Sequence, residues 1–457
     1  MGRKLIRNGQ VVTMDRSIGD FASADVLLEG DRIVAVRPGI VADVDETIDA
    51  RGMIVMPGLV NAHLHTWQTG LRSIGADWTG PDYHRIMHGN MATRFQPQDN
   101  YIGTLVGALE QLNAGVTTLF DWCHNITSLE HAERSVDALE ESGIRAVFGH
   151  GTAKPLKTAS DIPFTHEPHP RERLERLRRE RFSSDDRRVT LAAAILGPQF
   201  SVPEVVEHDF RLARELGLLS SSHAARRPAD QVSPEGYRIP ARLGLLDENH
   251  NVVHGNYIDD EQLKLIVDSG ASFTVTSMIE LHVHPADPVT GRIRALGALP
   301  SLGVDSIPAA NSDMFNEMRF AMVYQRALEH RANYALGLPP LAQLPVQSRA
   351  ALEWATIGGA KAMRLDDRIG SLTPGKKADM ILLNASDFNL FPVHDPVGTI
   401  VQQGCAHSVD TVIVDGQVLK RGGALGYDAA LLRRKAEELE ASAARIIRES
   451  GYVPMAA

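Results

Sequence analysis

What this chain has little of narrows its function before any motif is read. Cysteine is nearly missing: Cys123 and Cys405 are the two present. That leaves room for one bridge at most, and nothing in the sequence resembles a thiolate metal site. Positive charge is in deficit, with 47 Lys and Arg against 57 Asp and Glu and a net charge of −10. A nucleic-acid binder usually needs a basic stripe, so no nucleic-acid partner is expected. No apolar run reaches membrane-spanning length, and the start, MGRKLIRNGQVVTMD, lacks the apolar stretch of a secretory signal. A cytoplasmic protein with no membrane partner is therefore expected. Charges crowd residues 171–188, where Leu174 and Leu177 stand three apart among Arg and Glu. This is the pattern of a solvated helix with one narrow apolar edge.

What is present is a hydrophobic fraction of 43% in 457 residues, enough for a large core and more than one domain. The first residues read as short strands: KLIRNGQVVTM, DVLLEGDRIVAV and GMIVM, parted by Asn-Gly, Gly-Asp and Arg-Gly turns. The same texture returns late, in ADMILLNAS and in TVIVDGQVLKRGG with its Asp-Gly hairpin signal. One small β-sandwich made from both ends, residues 1–56 plus 366–425, is predicted. Between them, over residues 57–365, strand-like runs such as GVTTLFDW, RAVFGHG, VTLAAAILGP, NVVHGN and ASFTVTS alternate with helical stretches that often end at Gly. Alternation sustained over about 250 residues predicts an α/β fold, a (β/α)8 TIM barrel. An amphipathic helix within residues 426–457, at 429–450, is expected to pack outside the barrel or on a partner.

In PGLVNAHLHTWQ, His63 and His65 are two apart at the end of an apolar run. Residues i and i+2 of a strand face one side, so both imidazoles point to one spot at the strand's C-terminal end, the active face of such barrels. His223, His254 and Asp305 end later runs, in LLSSSHAA, NVVHGN and LPSLGVDS. A catalytic divalent metal takes three or four N/O ligands and keeps a position for water. These five residues supply four ligands and one outer base. Any one histidine alone reads equally well as core; the set does not.

PGLVNAHLH, VVHGNYIDDEQLKLIVDSGAS, SLGVDS followed by DMFNEMR, and ATIGGAKAMRLDDRIGSLTPGKKADMILL together resemble the amidohydrolase superfamily, in particular its triazine-hydrolase and cytosine-deaminase-like branch. The resemblance runs nearly end to end. It implies a barrel plus a small two-ended β domain, with metal ligands at His63, His65, His223 and Asp305. His254 takes the place of the histidine that touches the attacking water or substrate. Two departures matter. The fourth strand, VTLAAAILGPQFS, has no lysine to bridge two metals, which implies one divalent ion per chain: zinc first, with iron, manganese or cobalt as alternatives. Where ring deaminases of this branch carry His-x-x-Glu, the chain reads His223-Ala224-Ala225-Arg226, so the carboxylate that protonates ring nitrogen is missing.

Glu280, after the seventh strand, is the candidate replacement, with a loop ion pair as the plainer reading. His282 and His284 nearby offer too few ligands for a second metal site. Trp67, Gln68, Trp78 and His124, with Tyr83 and His150, are expected to line the pocket from loops above the barrel. The reaction the resemblance implies is attack of metal-activated water on an amide-like carbon, with His254 polarising the group attacked and Asp305 carrying the proton to the departing nitrogen. That scheme suits ureas, carbamates, thiocarbamates or anilides, and the motif variant is similar to phenylurea and thiocarbamate hydrolases of the family. The alternatives are an aminohydrolase or dechlorinating hydrolase of an N-heterocycle, and a metal-free scaffold. A homo-oligomer is expected.

Overall fold

The apolar runs of the middle segment form eight parallel strands in sequence order. The computed structural model describes residues 2–155 and 161–453. The strands are β1 (Leu59–Leu64), β2 (Val116–Ile126), β3 (Arg145–Thr152), β4 (Val189–Ala194), β5 (Leu219–Ala224), β6 (His250–His254), β7 (Ser272–Val275) and β8 (Ser301–Leu302). All eleven residues of β2 are buried, as expected of a parallel strand covered on both faces. Past β8 the chain closes on β1: the carbonyl of His63 accepts from Val304 N at 3.1 Å and Asp305 N at 3.0 Å, and Leu64 bridges Asp305. Glycine is required at the crossing, because a Cβ on Gly303 would stand 2.7 Å from that of His63. The barrel is closed.

Helices fall where start and stop signals put them. The helices α1 (Pro97–Asn113), α2 (Leu129–Ser142), α3 (Arg171–Glu180), α4 (Pro203–Glu215) and α5 (Asp260–Asp268) cover the strands. The Ser128 hydroxyl caps α2 by accepting from His131 N, and Gly143 ends it with φ of 71°. The charged segment is helical only to Glu180, with Leu174 and Leu177 buried. The helix does not reach 188, since the Ser-Ser-Asp-Asp that follows favours turns.

Both ends of the chain meet in one nine-stranded mixed sheet. Met53–Pro57, the strand leading into the barrel, pairs antiparallel with Met380–Asn384. Alternation divides their side chains: Val55, Met380 and Leu382 face the sheet's own core, while Ile54, Met56, Ile381 and Leu383 join the barrel's. The Asp-Gly turn is a tight hairpin, with Asp415 and Gly416 at φ of 49° and 71°. At the seam, the buried Arg145 guanidinium of β3 holds Asp379 (Nε–Oδ2 2.6 Å) and Asp415.

Three further helices matter to the site. The short α6 (Ser277–Val283) follows β7 directly, α7 (Met314–Ala335) packs against it, and α8 (Ala429–Ser450) lies on α1. The terminal helix thus packs on its own barrel, anchored by Arg445 and Ser442 on Asp99 and by Asn90 Nδ2 donating to Ser450 O at 2.8 Å.

Candidate active site

Four side chains converge at the C-terminal mouth of the barrel. One donor atom from each of His63, His65, His223 and Asp305 lies within 4.8 Å of every other. Asp305 Oδ1 is 3.2 Å from His63 Nε2 and 3.0 Å from His65 Nε2, and His223 Nε2 is 3.2 Å from His63 Nε2. The His65 ring is oriented from behind, its Nδ1–H donating to the carbonyl of Trp122 at 2.5 Å, which leaves Nε2 free to coordinate. Burial drives the His63 imidazole down to about 3, against the pull of Asp305. Burial and the neighbouring His63 hold His223 well below its ordinary value. For Asp305, burial pushes the carboxyl up, but the adjoining His63 and His65 imidazoles outweigh it and hold it well below the usual carboxylate range. Basic lone pairs therefore crowd one point where they repel each other, and a small divalent cation resolves that conflict. The residues fit a three-His, one-Asp site for a single ion.

His254, the last residue of β6, stands beside this cluster with Nε2 3.7 Å from Asp305 Oδ2. Both residues have left-handed backbones, φ of 72° at His254 and 60° at Asp305. Such conformations cost about 1–3 kcal/mol each and persist where the surroundings enforce them, as at functional sites. Glu280 lies behind His254 and is fully buried. Its Oε1 is 3.2 Å from His254 Nδ1 and accepts from Thr276 N at 2.9 Å, while Oε2 accepts from Asn256 Nδ2 at 3.1 Å. Burial disfavours charge on His254, yet the Glu280 hydrogen bond and the Asp305 charge raise its pKa overall. Glu280 does not line the cleft. The sequence offers Glu280 as a replacement proton shuttle; the structure places its carboxylate in the first turn of α6, behind His254 and away from the cleft lining.

Of the expected pocket residues, Trp78, Tyr83 and His124 do line the cleft over the cluster. Trp67 and Gln68 do not: both have no exposed surface. Past His65 the chain turns into a 3-10 helix, Thr66–Leu71, which carries these two into the barrel wall. There the Trp67 indole donates to His124 Nδ1 at 3.1 Å, and Gln68 bonds Tyr83 Oη at 2.6 Å and Ser306 Oγ at 3.2 Å. His124 and His150 are strand residues of β2 and β3, not loop residues, and His150 is buried against His169. Sequence reading missed His84, His88, Lys154 and Phe200 on the cleft wall, and it treated His284, also there, only as a poor metal ligand. The i, i+4 spacing in Tyr83–His88 placed His84 and His88 on one helical face and was the one available signal; Lys154 and Phe200 had none.

The sequence pattern of the Amidohydrolase family matches residues 54–419. A 5-methylthioadenosine/S-adenosylhomocysteine deaminase of Desulforudis audaxviator is 31% identical over 451 residues, covering 95% of this chain and 97% of the relative. Among solved structures, an adenosine deaminase of Xanthomonas campestris with bound zinc superposes with a TM-score of 0.81 at 24% identity, covering 97% of this chain and 98% of the other. The zinc complex of atrazine chlorohydrolase from Arthrobacter aurescens gives 0.81 at 21% identity, covering 96% and 100%. A closed barrel with a two-ended β domain, one site for a divalent ion at its mouth and a family match across most of the length agree: the chain belongs to the amidohydrolase family and is a metal-dependent hydrolase of carbon–nitrogen bonds.

Proposed function

We propose that this hydrolase cleaves the acyl C–N bond of a small urea, carbamate, thiocarbamate or anilide. The observation that carries this reading is that Asp305 is the one carboxylate among the described residues lining the cleft. Arg226 stands where a deaminase-type glutamate would, and Glu280 is spent on His254. With a single carboxylate, both proton transfers fall to Asp305.

His63, His65, His223 and Asp305 would hold the divalent ion, zinc in the first instance, which when bound acidifies water and polarises a carbonyl. His254, its Nδ1 held by Glu280, presents Nε2 to the carbonyl oxygen and stabilises charge that develops there on attack. Asp305 Oδ2, facing His254, accepts the proton of the attacking water and returns it to the leaving nitrogen. Trp78 and Tyr83 supply flat apolar walls for an aromatic substituent.

The test is a panel of N-aryl ureas, N,N-dialkyl carbamates and thiocarbamates, anilides, nucleobases, 5′-methylthioadenosine and aminated or chlorinated triazines, incubated with zinc-loaded enzyme and read by mass spectrometry. Turnover confined to the acyl compounds supports the reading; efficient deamination of a purine sinks it. A ring aminohydrolase is the second reading, favoured by full-length relatives named as deaminases.

We further propose a homo-oligomer in the cytoplasm. Exposed Phe320, Val323 and Tyr334 on α7 support the first, and two free thiols suit a reducing compartment. A monomer by light scattering at micromolar concentration removes the oligomer, and recovery in a membrane or secreted fraction removes the location.

A further inference from the structure

Lys154 follows β3 by two residues and reaches into the same cleft as the metal-binding cluster. It is 8% exposed. No carboxylate among the described residues forms an ion pair with its ammonium, and Asp305, already engaged by two histidines, is the acid whose field reaches it. Its surroundings are instead aromatic and cationic. Nζ lies 5.0 Å from the Phe200 ring centroid and 5.7 Å from that of Trp122, while the Arg226 guanidinium sits 4.4 Å from the same Phe200 ring. Cation–π attraction offsets only part of what burying an unpaired ammonium costs. The lysine registers the remainder: burial, then Arg226, lower its pKa to about 7. The histidines on this wall add no negative charge. One end of the cleft thus carries a basic amine for which the described residues provide no paired carboxylate.

We propose that Lys154 is a specificity-determining residue that takes a carboxylate of the substrate, so that the preferred substrates are aromatic amide-like compounds bearing a free carboxylate. This deepens the acyl C–N cleavage reading and rests on it for the reaction, but the anion site itself is read by binding. The ring lies against Trp78, Tyr83 and Phe200, the acyl group faces His254 and Asp305, and the carboxylate meets Nζ.

The experiment compares N-benzoylglycine with its neutral twin N-benzoylglycinamide on the zinc-loaded, full-length protein, with binding followed by calorimetry and cleavage by mass spectrometry. The acid should bind about 10- to 100-fold more tightly than the amide, the range for a hydrogen bond to a charged group. Lys154→Met, which keeps the length and apolar stem, should abolish that gap while the protein still binds the amide and unfolds at the same or a higher midpoint. Lys154→Arg should keep most of it. An equal affinity for acid and amide in the wild type overturns the proposal. So does a gap that survives in Lys154→Met, since the carboxylate would then be bound by a group other than Lys154, such as Arg226 on the same Phe200 ring. Should the wild type bind the acid through Lys154 yet cleave no amide, urea or carbamate, the anion site stands and the reaction class falls.

Discussion

The two walls of the cleft are built by different means. The metal-side wall comes from strand ends: His63 in β1, His223 and His254 in β5 and β6, with His65 and Asp305 directly beyond β1 and β8. Backbone ladders fix the direction of each side chain, and the hydrogen bonds from Val304 and Asp305 to His63 O lock first strand to last. The opposite wall comes from connections: Trp78, Tyr83, His84 and His88 after β1, Lys154 after β3, Phe200 after β4 and His284 after α6. Ladder hydrogen bonds do not aim these groups; side-chain contacts do. The first wall can therefore meet the narrow tolerances of metal coordination, while the second sets which molecules fit.

If that division is right, breaking the strand-end wall removes chemistry and breaking the loop wall changes affinity. The largest effect belongs to the ligands. His63→Ala or His223→Ala should abolish both bound metal and turnover, since a site left with three donors loses most of its affinity. Wild-type protein should carry about one divalent ion per chain by elemental analysis, and chelation followed by zinc should abolish and restore activity. Two ions per chain, or turnover in the metal-free protein, would break the comparison at its strongest point.

Within the same wall, His254→Ala should keep its metal and lose at least ~100-fold in kcat, the usual contribution of a polarising or acid–base group. Metal loss in this variant would make His254 a ligand. Glu280→Gln should be milder, about 10-fold in kcat with KM and metal unchanged, because it keeps a hydrogen-bond acceptor behind His254 while losing the charge. A raised KM with kcat intact would put Glu280 against substrate, in conflict with its burial.

How far each wall could be read from sequence follows from how it is built. Period-two alternation placed His63 and His65 together, and strand–helix alternation put His223, His254 and Asp305 at one mouth, because these patterns report backbone direction. The barrel and the two-ended β domain were legible for the same reason. The loop wall was not. Nothing in HTWQ marks the switch from strand to 3-10 helix that sends Trp67 and Gln68 inward. Glu280 follows β7 as expected, but α6 starts at once, and a first-turn helical side chain leans back toward the N-terminus, here onto Thr276 and His254. Lys154 and Phe200 meet across a cleft through sequence neighbours that follow no period.

On the loop wall, Gln68→Leu should raise KM about 5- to 10-fold while kcat stays within about twofold, the effect of removing one donor from a part-buried hydroxyl. The Gln68 amide donates to the Tyr83 hydroxyl at 2.6 Å, so losing it loosens a ring that faces substrate while removing no ligand side chain. A matching fall in kcat would mean that the loop wall also aims the chemistry.

The smallest effect should come from the far end of the chain. Trp78 lines the cleft, and its indole Nε1 donates to Tyr452 Oη at 3.2 Å, two residues beyond α8. The two rings meet edge to face at 5.6 Å. Asn90, at the other end of the same loop, donates to Ser450 O, so the terminal helix braces both ends of the segment that carries Trp78, Tyr83, His84 and His88. This brace is partly exposed, and an exposed neutral hydrogen bond contributes modestly, so Tyr452→Ala should raise KM about two- to threefold, leaving kcat and metal content unchanged. The gain should appear for substrates with a bulky aromatic substituent and vanish for small ones, because only the former reach Trp78. An equal loss for both sizes would mean that the tail stabilises the whole molecule instead of one wall; thermal unfolding of the same variant separates the two cases, since a brace confined to the loop leaves the global midpoint where it was.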